Sequence, residues 1–544
     1  MSRNLIVCIS FFVFSTVYSQ PASQLNSVSR PKIIVGIVVD QMRWDYLYRY
    51  FDRYTPDGFK RMLREGFSCE NTMIPYTPTY TAPGHACIYT GSVPAINGII
   101  GNLWYSRALG RSVYCMEDNS VRTIGSNSNA GKMSPRNLWT NTITDELRLS
   151  SNFRSKVIGI AFKDRGSILP AGHSANAAYW FDNSTGGWIT SSYYMEDLPA
   201  WLKSFNDKKL PDQYLKKDWN TLFPISTYKN STKDSNAYEG NVAGEDNTFP
   251  HIISTITSNK YNTFWYTPSA NTYTFDMARA TIEGEELGTR GETDFLAVSI
   301  SATDYVGHGF GPNSIEVEDM YLRLDRDLAD FLKYLDQKIG KGQYLAFLSA
   351  DHGVAHVPEF LKENKLPGGG SDVPDIMMHL NNSVDSAFGV KKAVINISNY
   401  QIYTDAKAIR DAKGDAGKIK DFIIQQLLTY NEITTAFYVD KITEVAVPEQ
   451  VKNMLINGHS QKLSGDIQFI FKPQWFEGGD MGTTHGLWNP YDSHIPLVWF
   501  GWNVKAGKTF RETYMSDIAP TIAAMLHIQM PNGSIGKVIG EVAQ

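Results

Sequence analysis

The sequence predicts an α/β protein: an α/β/α sandwich around a central, mostly parallel sheet, with inserted cap segments. Three observations predict it. Several short runs are almost wholly apolar and β-branched, as strands buried on both faces of a parallel sheet read. A helical stripe separates two of these runs at the spacing of a βαβ crossover, which makes the sheet locally parallel. The chain of 544 residues has room for one large α/β domain with insertions.

The elements follow in order. MSRNLIVCISFFVFSTVYSQ has Arg3 ahead of an apolar run from Leu5 to about Val17, then Ser19 before Gln20, the pattern of a secretory signal peptide. The run is shorter than the ~20 residues of a spanning helix. Cleavage after Ser19 is expected, leaving residues 20–544 as an exported domain, periplasmic or extracellular and without a membrane span. KIIVGIVVD, from Lys32 to Asp40, is the first strand. SKVIGIAF, from Ser155 to Phe162, is another and leads into KDRG. FLAVSISATD (Phe295 to Asp304) and YLAFLSADHG (Tyr344 to Gly353) flank NSIEVEDMYLRLDRDLADFLKYLDQKIG. There, Asn313 and Glu316 suit a capping box and Ile315, Met320, Leu324, Leu328, Phe331 and Leu335 approximate a helical stripe. IPLVWFGW, from Ile495, is a last strand before a helix around SDIAPTIAAML. Stretches of about 170–290 and 355–480 break the alternation and read as insertions forming a cap.

Composition narrows the function classes. The net charge of −5 is spread along the chain, so no nucleic-acid or anionic-membrane partner is expected. After signal removal the cysteines are Cys69, Cys87 and Cys115. An odd number without zinc-ribbon spacing means that disulfides do not organise the fold. Asn183, Asn230 and Asn396 lie in N-x-S/T sequons, relevant only in a glycosylating host. Oligomeric state has no signature in the sequence.

Chemistry gathers in three places. SATDYVGHGFGPNS sets Asp304 and His308 four residues apart, able to reach one ion on a helical turn, or else a cap beside a surface His. SADHGVAH holds Asp351 next to His352, which face one site only where the strand ends and turns. GGDMGTTHGLWNPYDSHIPL carries His485 in a small-residue loop; His356 and His494 read as structural or supporting. Asp40, Asp304 and Asp351 all end core strands in this reading. Carboxylates converging at the carboxyl edge of a parallel sheet repel one another unless a cation compensates. Asp and His together suit zinc, with enough ligands for two ions, the arrangement that serves in-line phosphoryl or sulfuryl transfer. In PTYTAPGHACIYTGSVPAINGIIGN (Pro78 to Asn102), Thr79, Thr81 and Cys87 are the candidate nucleophiles, with His85 beside them.

TxTxPGHA, the Asn twenty-one positions after the second Thr, DYVGH, ADHG and TTHG resemble the alkaline phosphatase superfamily, in its nucleotide pyrophosphatase/phosphodiesterase-like branch. KDR after a strand, VVDQMRWDYL and GPNSIEVED are similar to the phosphate-irrepressible, PafA-type alkaline phosphatases. The resemblance runs from about Pro31 to the C-terminus, with six separated motifs in order. It implies a zinc-dependent phosphate monoesterase acting on small molecules through a phosphothreonine. Thr81 would be the nucleophile, with one zinc on Asp40, Thr81, Asp351 and His352 and the other on Asp304, His308 and His485. Asn102 and the Ala82 N–H would hold a phosphoryl oxygen. Lys163 and Arg165 match a cation pair over the phosphoryl group and favour a dianionic monoester. His85 then braces its turn, since zinc supplies the activation. The alternatives are a phosphodiesterase or nucleotide pyrophosphatase on the same scaffold, a sulfatase, and a metal-independent binding module. The sulfatase lacks its C-x-P-x-R motif at Cys87.

Overall fold

Ten strands build the central sheet of the computed structural model, which describes residues 29–242, 244 and 247–543. The expected signal peptide lies outside the described residues. In chain order the strands are β1 (Ile33–Val39), β2 (Phe67–Cys69), β3 (Thr123–Ile124), β4 (Val157–Ala161) and β5 (Ala177–Asp182). Then come β6 (Gly187–Ser191), β7 (Asp294–Ile300), β8 (Tyr344–Ser349), β9 (Leu497–Gly501) and β10 (Gly507–Thr509). Across the sheet they run β10-β2-β9-β8-β1-β7-β4-β5-β6-β3. The five neighbours β8, β1, β7, β4 and β5 are mutually parallel, and every residue of β1, β4, β7 and β8 is buried. This is why those four segments read as unbroken apolar runs rather than alternating ones. β9 returns antiparallel along β8.

The helices that matter below are α1 (Thr81–Thr90), α2 (Asp164–Ala171), α3 (Pro268–Glu285), α4 (Ala302–Phe310), α5 (Ile315–Leu335) and α6 (Ile518–Leu526). α5 is the expected crossover from β7 to β8, and Ile315, Met320, Leu324, Leu328, Phe331 and Leu335 are all buried along it. Its cap differs from the expected Asn313/Glu316 box. Ser314 is the N-cap, its hydroxyl accepting from the Val317 N–H at 3.2 Å, while Asn313 Oδ1 accepts from His356 Nδ1 at 2.6 Å. β7 also stops earlier than expected: Asp304 sits in the first turn of α4, not at the strand end. The chain bends at Ser301 because Thr303 Oγ1 donates to the Asp40 carbonyl at 2.6 Å, tying the new helix to the end of β1.

The two interrupting stretches behave differently. Within 170–290, β5 and β6 extend the central sheet and α3 packs on β7 and α5. Residues 355–480 contain a separate antiparallel sheet, ordered Val394–Ser398, Gln401–Thr404, Ile467–Phe471 and Ile433–Tyr438. It shares an apolar core with helices Val373–Phe388 and Ala416–Leu427 through Leu380, Ile402, Ile423 and Phe469. Cys69, Cys87 and Cys115 are buried and unpaired.

Candidate metal and catalytic site

Four adjacent parallel strands deliver the site. Asp40 follows β1, Lys163 follows β4, Asp351 follows β8, and α4, which follows β7, brings Asp304 and His308. The strand ends are level, with Val39 opposite Ile300 and Val38 opposite Ser349. Loops beyond the carboxyl ends of such strands open onto one cleft.

Two groups of ligand atoms result: Asp304, His308 and His485, and Asp40, Asp304 and His352, the atoms of each lying within 4.8 Å of one another. His308 Nε2 is 3.2 Å and His485 Nε2 3.7 Å from Asp304 Oδ1. His352 Nε2 is 3.4 Å from Asp40 Oδ1, 3.5 Å from Asp351 Oδ2 and 3.4 Å from Thr81 Oγ1. Each of the three imidazoles donates Nδ1–H to a main-chain carbonyl: His308 to Thr483, His352 to Gly353 and His485 to Thr79, at 2.7, 3.0 and 2.7 Å. A carbonyl only accepts, so Nδ1 carries a proton and Nε2 is turned to the cleft, the orientation of a metal ligand; Asp304 raises the His308 pKa, so His308 gives up its Nε2 proton to an arriving cation.

Burial keeps His485 and His352 neutral. It lowers the His485 pKa to about 3, helped by His308, and holds His352 well below its ordinary value, helped by His485. Burial pushes Asp40 up to about 6 although Lys163 opposes it, and raises Asp351 well above the carboxylate range, with Asp40 adding to the effect. Asp40 Oδ1 and Asp351 Oδ2 are buried without a hydrogen-bond partner among the described residues. Buried carboxylate oxygens of this kind are costly unless a cation meets them.

Thr81 opens α1, after Tyr80 in an extended conformation. Gly84 lets the helix lie on the acidic turn, since a Cβ there would come within 2.5 Å of the Asp351 carbonyl. The Ala82 N–H, one of the first-turn donors without an intrahelical partner, reaches Asn102 Oδ1 at 2.9 Å. The sequence pairs Ala82 and Asn102 as holders of a phosphoryl oxygen; here they hold each other. His85 donates Nδ1–H to the Thr81 carbonyl and takes the Ser299 hydroxyl on Nε2, both at 2.9 Å. Both ring nitrogens are thereby used, and burial lowers its pKa to about 3, so His85 braces the helix instead of acting as a base. Thr79 Oγ1 donates to Leu487 O at 2.9 Å, and burial raises the Cys87 thiol well above its ordinary pKa. Of the three candidate nucleophiles, only the Thr81 hydroxyl meets the ligand groups.

Lys163 Nζ lies 2.7 Å from Asp40 Oδ2 and 2.6 Å from Asp304 Oδ2. Burial works against the ammonium charge, but Asp304 and Asp40 more than offset it and raise the pKa. Lys163 is thus bound to the carboxylates themselves. Arg165, at the start of α2, is steered by Tyr114, whose hydroxyl donates to Asp164 Oδ1 at 2.5 Å and accepts from Arg165 Nη1 at 3.2 Å. His356 and His494 stay out of the groups: His356 bonds Asn313, and His494 Nε2 reaches Glu70 O and stacks on Trp44.

The sequence reading missed two organising residues. Gln41 has φ of 65°, sparsely populated for a residue with a Cβ. From there its Nε2 donates to Asp304 Oδ1 at 2.7 Å and its N–H to Asp351 Oδ1 at 3.1 Å. A Cβ on Gly307 would come within 1.8 Å of the Gln41 side-chain oxygen Oε1, so that glycine makes room for it. Only its place directly after Asp40 could have flagged Gln41. Asp492 accepts from the N–H groups of Gly486 and Leu487 at 3.1 and 2.9 Å and fixes the loop that presents His485. Asp492→Ala, which removes the acceptor, is expected to weaken metal at the Asp304, His308 and His485 group about 10- to 100-fold, the usual cost of losing an outer partner. Metal retention after graded dialysis checks it; wild-type retention would show that the loop holds without Asp492.

Residues 34–493 match the family model for type I phosphodiesterase / nucleotide pyrophosphatase. The chain is 53% identical to alkaline phosphatase PhoV of Synechococcus elongatus, covering 96% of this chain and 95% of that protein. It is 52% identical to a protein of Myroides odoratus named calcium-transporting ATPase (98% and 97% covered) and 48% identical to alkaline phosphatase PafA of Elizabethkingia meningoseptica (96% of each). The crystal structure of wild-type PafA superposes with a TM-score of 0.94, covering 95% of this chain and 100% of that one.

Proposed function

Since this chain belongs to the type I phosphodiesterase / nucleotide pyrophosphatase family, and stands within it beside the PafA-type alkaline phosphatases, we propose that it is an exported, zinc-dependent phosphate monoesterase. Hydrolysis of phosphate monoesters is the activity its near relatives carry in their names. The observation that supports the finer reading is the gathering of Asp40, Asp304, His308, His352 and His485 into two ligand groups that share Asp304, with Asp351 Oδ2 3.5 Å and the Thr81 hydroxyl 3.4 Å from His352 Nε2. The donor set fits zinc: three imidazoles with Nε2 turned to the cleft and two buried carboxylate oxygens lacking a partner. Asp40, Thr81, Asp351 and His352 would hold one ion, and Asp304, His308 and His485 the other. When bound, such a pair lowers the pKa of a coordinated hydroxyl or water and offsets charge on the attacking and leaving oxygens.

The chain's own residues then account for the chemistry. Thr81 Oγ attacks phosphorus in line as the P–O ester bond breaks; the Thr81 hydroxyl proton passes by way of water to the departing oxygen, which leaves as the alcohol, and a phosphothreonine forms. Water attacks the same phosphorus from the vacated side, releasing phosphate and restoring Thr81, so that two inversions give overall retention. Asn102 Nδ2 and the Ala82 N–H would hold a non-bridging oxygen, the latter by exchanging its bond to Asn102 for one to the phosphoryl group. Lys163, freed from Asp40 and Asp304 once cations take those carboxylates, and Arg165 would meet the remaining charge, since phosphoryl transfer is mostly positioning and electrostatics. A crystallised PafA variant supports this set: it replaces a Thr and an Asn twenty-one residues apart and a Lys and an Arg two apart, the spacings of Thr81 to Asn102 and Lys163 to Arg165 here. The segment 355–480 is read as a cap over the substrate.

Phosphate-monoester against diester kinetics, with metal content measured on the same sample, tests the reading. Monoester preference with about two zinc per chain is expected; diester preference would favour the nucleotide pyrophosphatase alternative. Replacing both Lys163 and Arg165 with Ala should lower monoester kcat/KM by roughly 10²-fold or more, and diester hydrolysis less, because a dianion presents more charge to compensate. Equal losses on the two substrates would remove the pair from specificity. The Myroides relative's name points to ion transport. Among the described residues no helix is long and apolar enough to cross a membrane.

A further inference from the structure

A β-hairpin joins Asn102 to the surroundings of Arg165. Its strands, Leu103–Ser106 and Arg111–Tyr114, pair antiparallel with Leu103 opposite Tyr114. The Cys115 N–H extends the ladder by one step, to the Asn102 carbonyl at 3.0 Å. Asn102, whose Oδ1 accepts from the Ala82 N–H at 2.9 Å, thus leads into the hairpin where Tyr114 ends it. Segment 355–480 holds the hairpin at its base and at its tip. At the base Asn399 Nδ2 donates to Leu103 O at 3.0 Å. At the tip Arg107 donates to Ser464 O at 2.6 Å, pairs with Asp466 at 3.2 Å and lies over the Tyr403 ring. These bonds set the register, and a slip of one residue would turn Tyr114 to the opposite face.

Arg165 and Lys163 are held in different ways. Two carboxylates clamp Lys163. Among the described residues no carboxylate forms an ion pair with the Arg165 guanidinium; its one hydrogen-bond partner is the Tyr114 hydroxyl, 3.2 Å from Nη1, and Nε has none. That hydroxyl is itself oriented. It donates to Asp164 Oδ1 at 2.5 Å, the oxygen that also accepts from the Arg165 N–H at 2.8 Å, which leaves its lone pairs for Nη1. Burial raises the Tyr114 pKa well above its ordinary value, and Asp164 adds to the effect, so the phenol keeps its proton and the order of donor and acceptor is fixed. The ring packs on the apolar cluster that includes Ala82 and Ala86 of α1 and Ile168 and Leu169 of α2. A planar guanidinium fork recognises a phosphoryl group only when it is aimed, and a misplacement of about 1 Å can cost about 10²-fold in rate.

We propose that Tyr114 is a positioning residue: its hydroxyl aims the Arg165 guanidinium at the site that Asn102 enters from the other strand of the hairpin, and so sharpens selection of a phosphate dianion. This role rests on the phosphate-monoesterase reading of Arg165 given above. Tyr114 acts through Arg165 and needs no contact with substrate of its own.

The test is a double-mutant cycle on the zinc-loaded protein, with Tyr114→Phe, Arg165→Ala and the pair. Tyr114→Phe removes one oxygen and keeps the packed ring. It should lower monoester kcat/KM about tenfold and diester kcat/KM less, and raise the inhibition constant of inorganic phosphate about tenfold, with zinc per chain unchanged. In the Arg165→Ala background the same change should have little further effect on either quantity, because the hydroxyl then has nothing to aim. If Tyr114→Phe fails to fold, Asp164→Ala, which removes the acceptor that orients the hydroxyl, decides by the same cycle. Equal losses on the two esters, a full second loss in the Arg165→Ala background, or wild-type kinetics in Tyr114→Phe would overturn the proposal. Phosphate inhibition does not depend on which ester is preferred. A wild type that prefers diesters would therefore sink the monoesterase reading while the phosphate cycle still decides on Tyr114. Unchanged phosphate inhibition in Arg165→Ala would remove Arg165 from the anion site and overturn the role of Tyr114 with it.

Discussion

Thr81→Ala is expected to cut phosphate-monoester turnover by about 10³-fold or more while both metals remain bound. Removing a nucleophile deletes a covalent route that no neighbour can replace. His85 cannot substitute: both its nitrogens are engaged and burial keeps it neutral. Cys87 cannot either, being buried with a raised thiol pKa. Thr81→Ala should fold, since it keeps Cβ and loses only a methyl and a hydroxyl 3.4 Å from His352 Nε2. Acid quenching after a pulse of labelled monoester should trap phosphate on wild type and none on Thr81→Ala, with zinc per chain unchanged. Normal turnover in that variant would sink the nucleophile assignment.

The second large effect is expected at Asp304. Its carboxylate belongs to both ligand groups; Oδ1 also accepts from Gln41, while Oδ2 holds Lys163. Burial opposes its ionisation, but His308 and Lys163 overcome that and keep its pKa well below the usual carboxylate value, so it stays an anion at working pH. Asp304→Asn should therefore drop zinc from about two per chain to one or fewer and reduce monoester turnover by roughly 10³-fold. Lys163 keeps Asp40 at 2.7 Å, which spares the fold the cost of a lone buried ammonium. Full zinc content with full activity would show that Asp304 is dispensable. Chelation should abolish wild-type activity and zinc should restore it. Rebinding should weaken as pH falls below about 6, because Asp40 takes up its proton there in the metal-free chain; pH-independent rebinding would remove Asp40 from the ligands.

How much of this was legible beforehand follows from what each residue needed. β1, β4, β7 and β8 were readable because strands buried on both faces leave a one-dimensional mark, an unbroken apolar run. The crossover α5 was readable from its stripe, but its cap was not. Ser314 and Asn313 are both good cap residues, and the choice went to Ser314 because His356, distant in sequence, engages Asn313. The strand role given to Asp304 failed for a related reason: Thr303 bonds the Asp40 carbonyl and starts α4 early. β5 and β6 stood inside a stretch that reads as insertion, since the polar turns around them hide short strands at the sheet margin.

Motifs adjacent in sequence gave the site its members. Asp40, Asp304, His308, Asp351, His352 and His485 were nameable as candidate ligands from residue type and spacing, whereas Thr81 stood level with Thr79 and Cys87 until the family resemblance singled it out. Their working state was not: each histidine's tautomer depends on a main-chain carbonyl, for two of them from a distant segment, as Thr483 serves His308 and Thr79 serves His485. Gln41 and Asp492 were invisible because their importance lies in bonds to partners far along the chain. So was the clamp of Lys163 on Asp40 and Asp304, which the sequence reading set over a phosphoryl group. The sequence by itself determined the layer order, the strands that end at the cleft, and the donor types that can meet there, because local pattern and chemistry carry those. Only the tertiary structure decided which hydroxyl faces the ligands and which imidazole nitrogen is exposed to them. Those depend on distances between residues hundreds of positions apart, which folding sets and no local window contains.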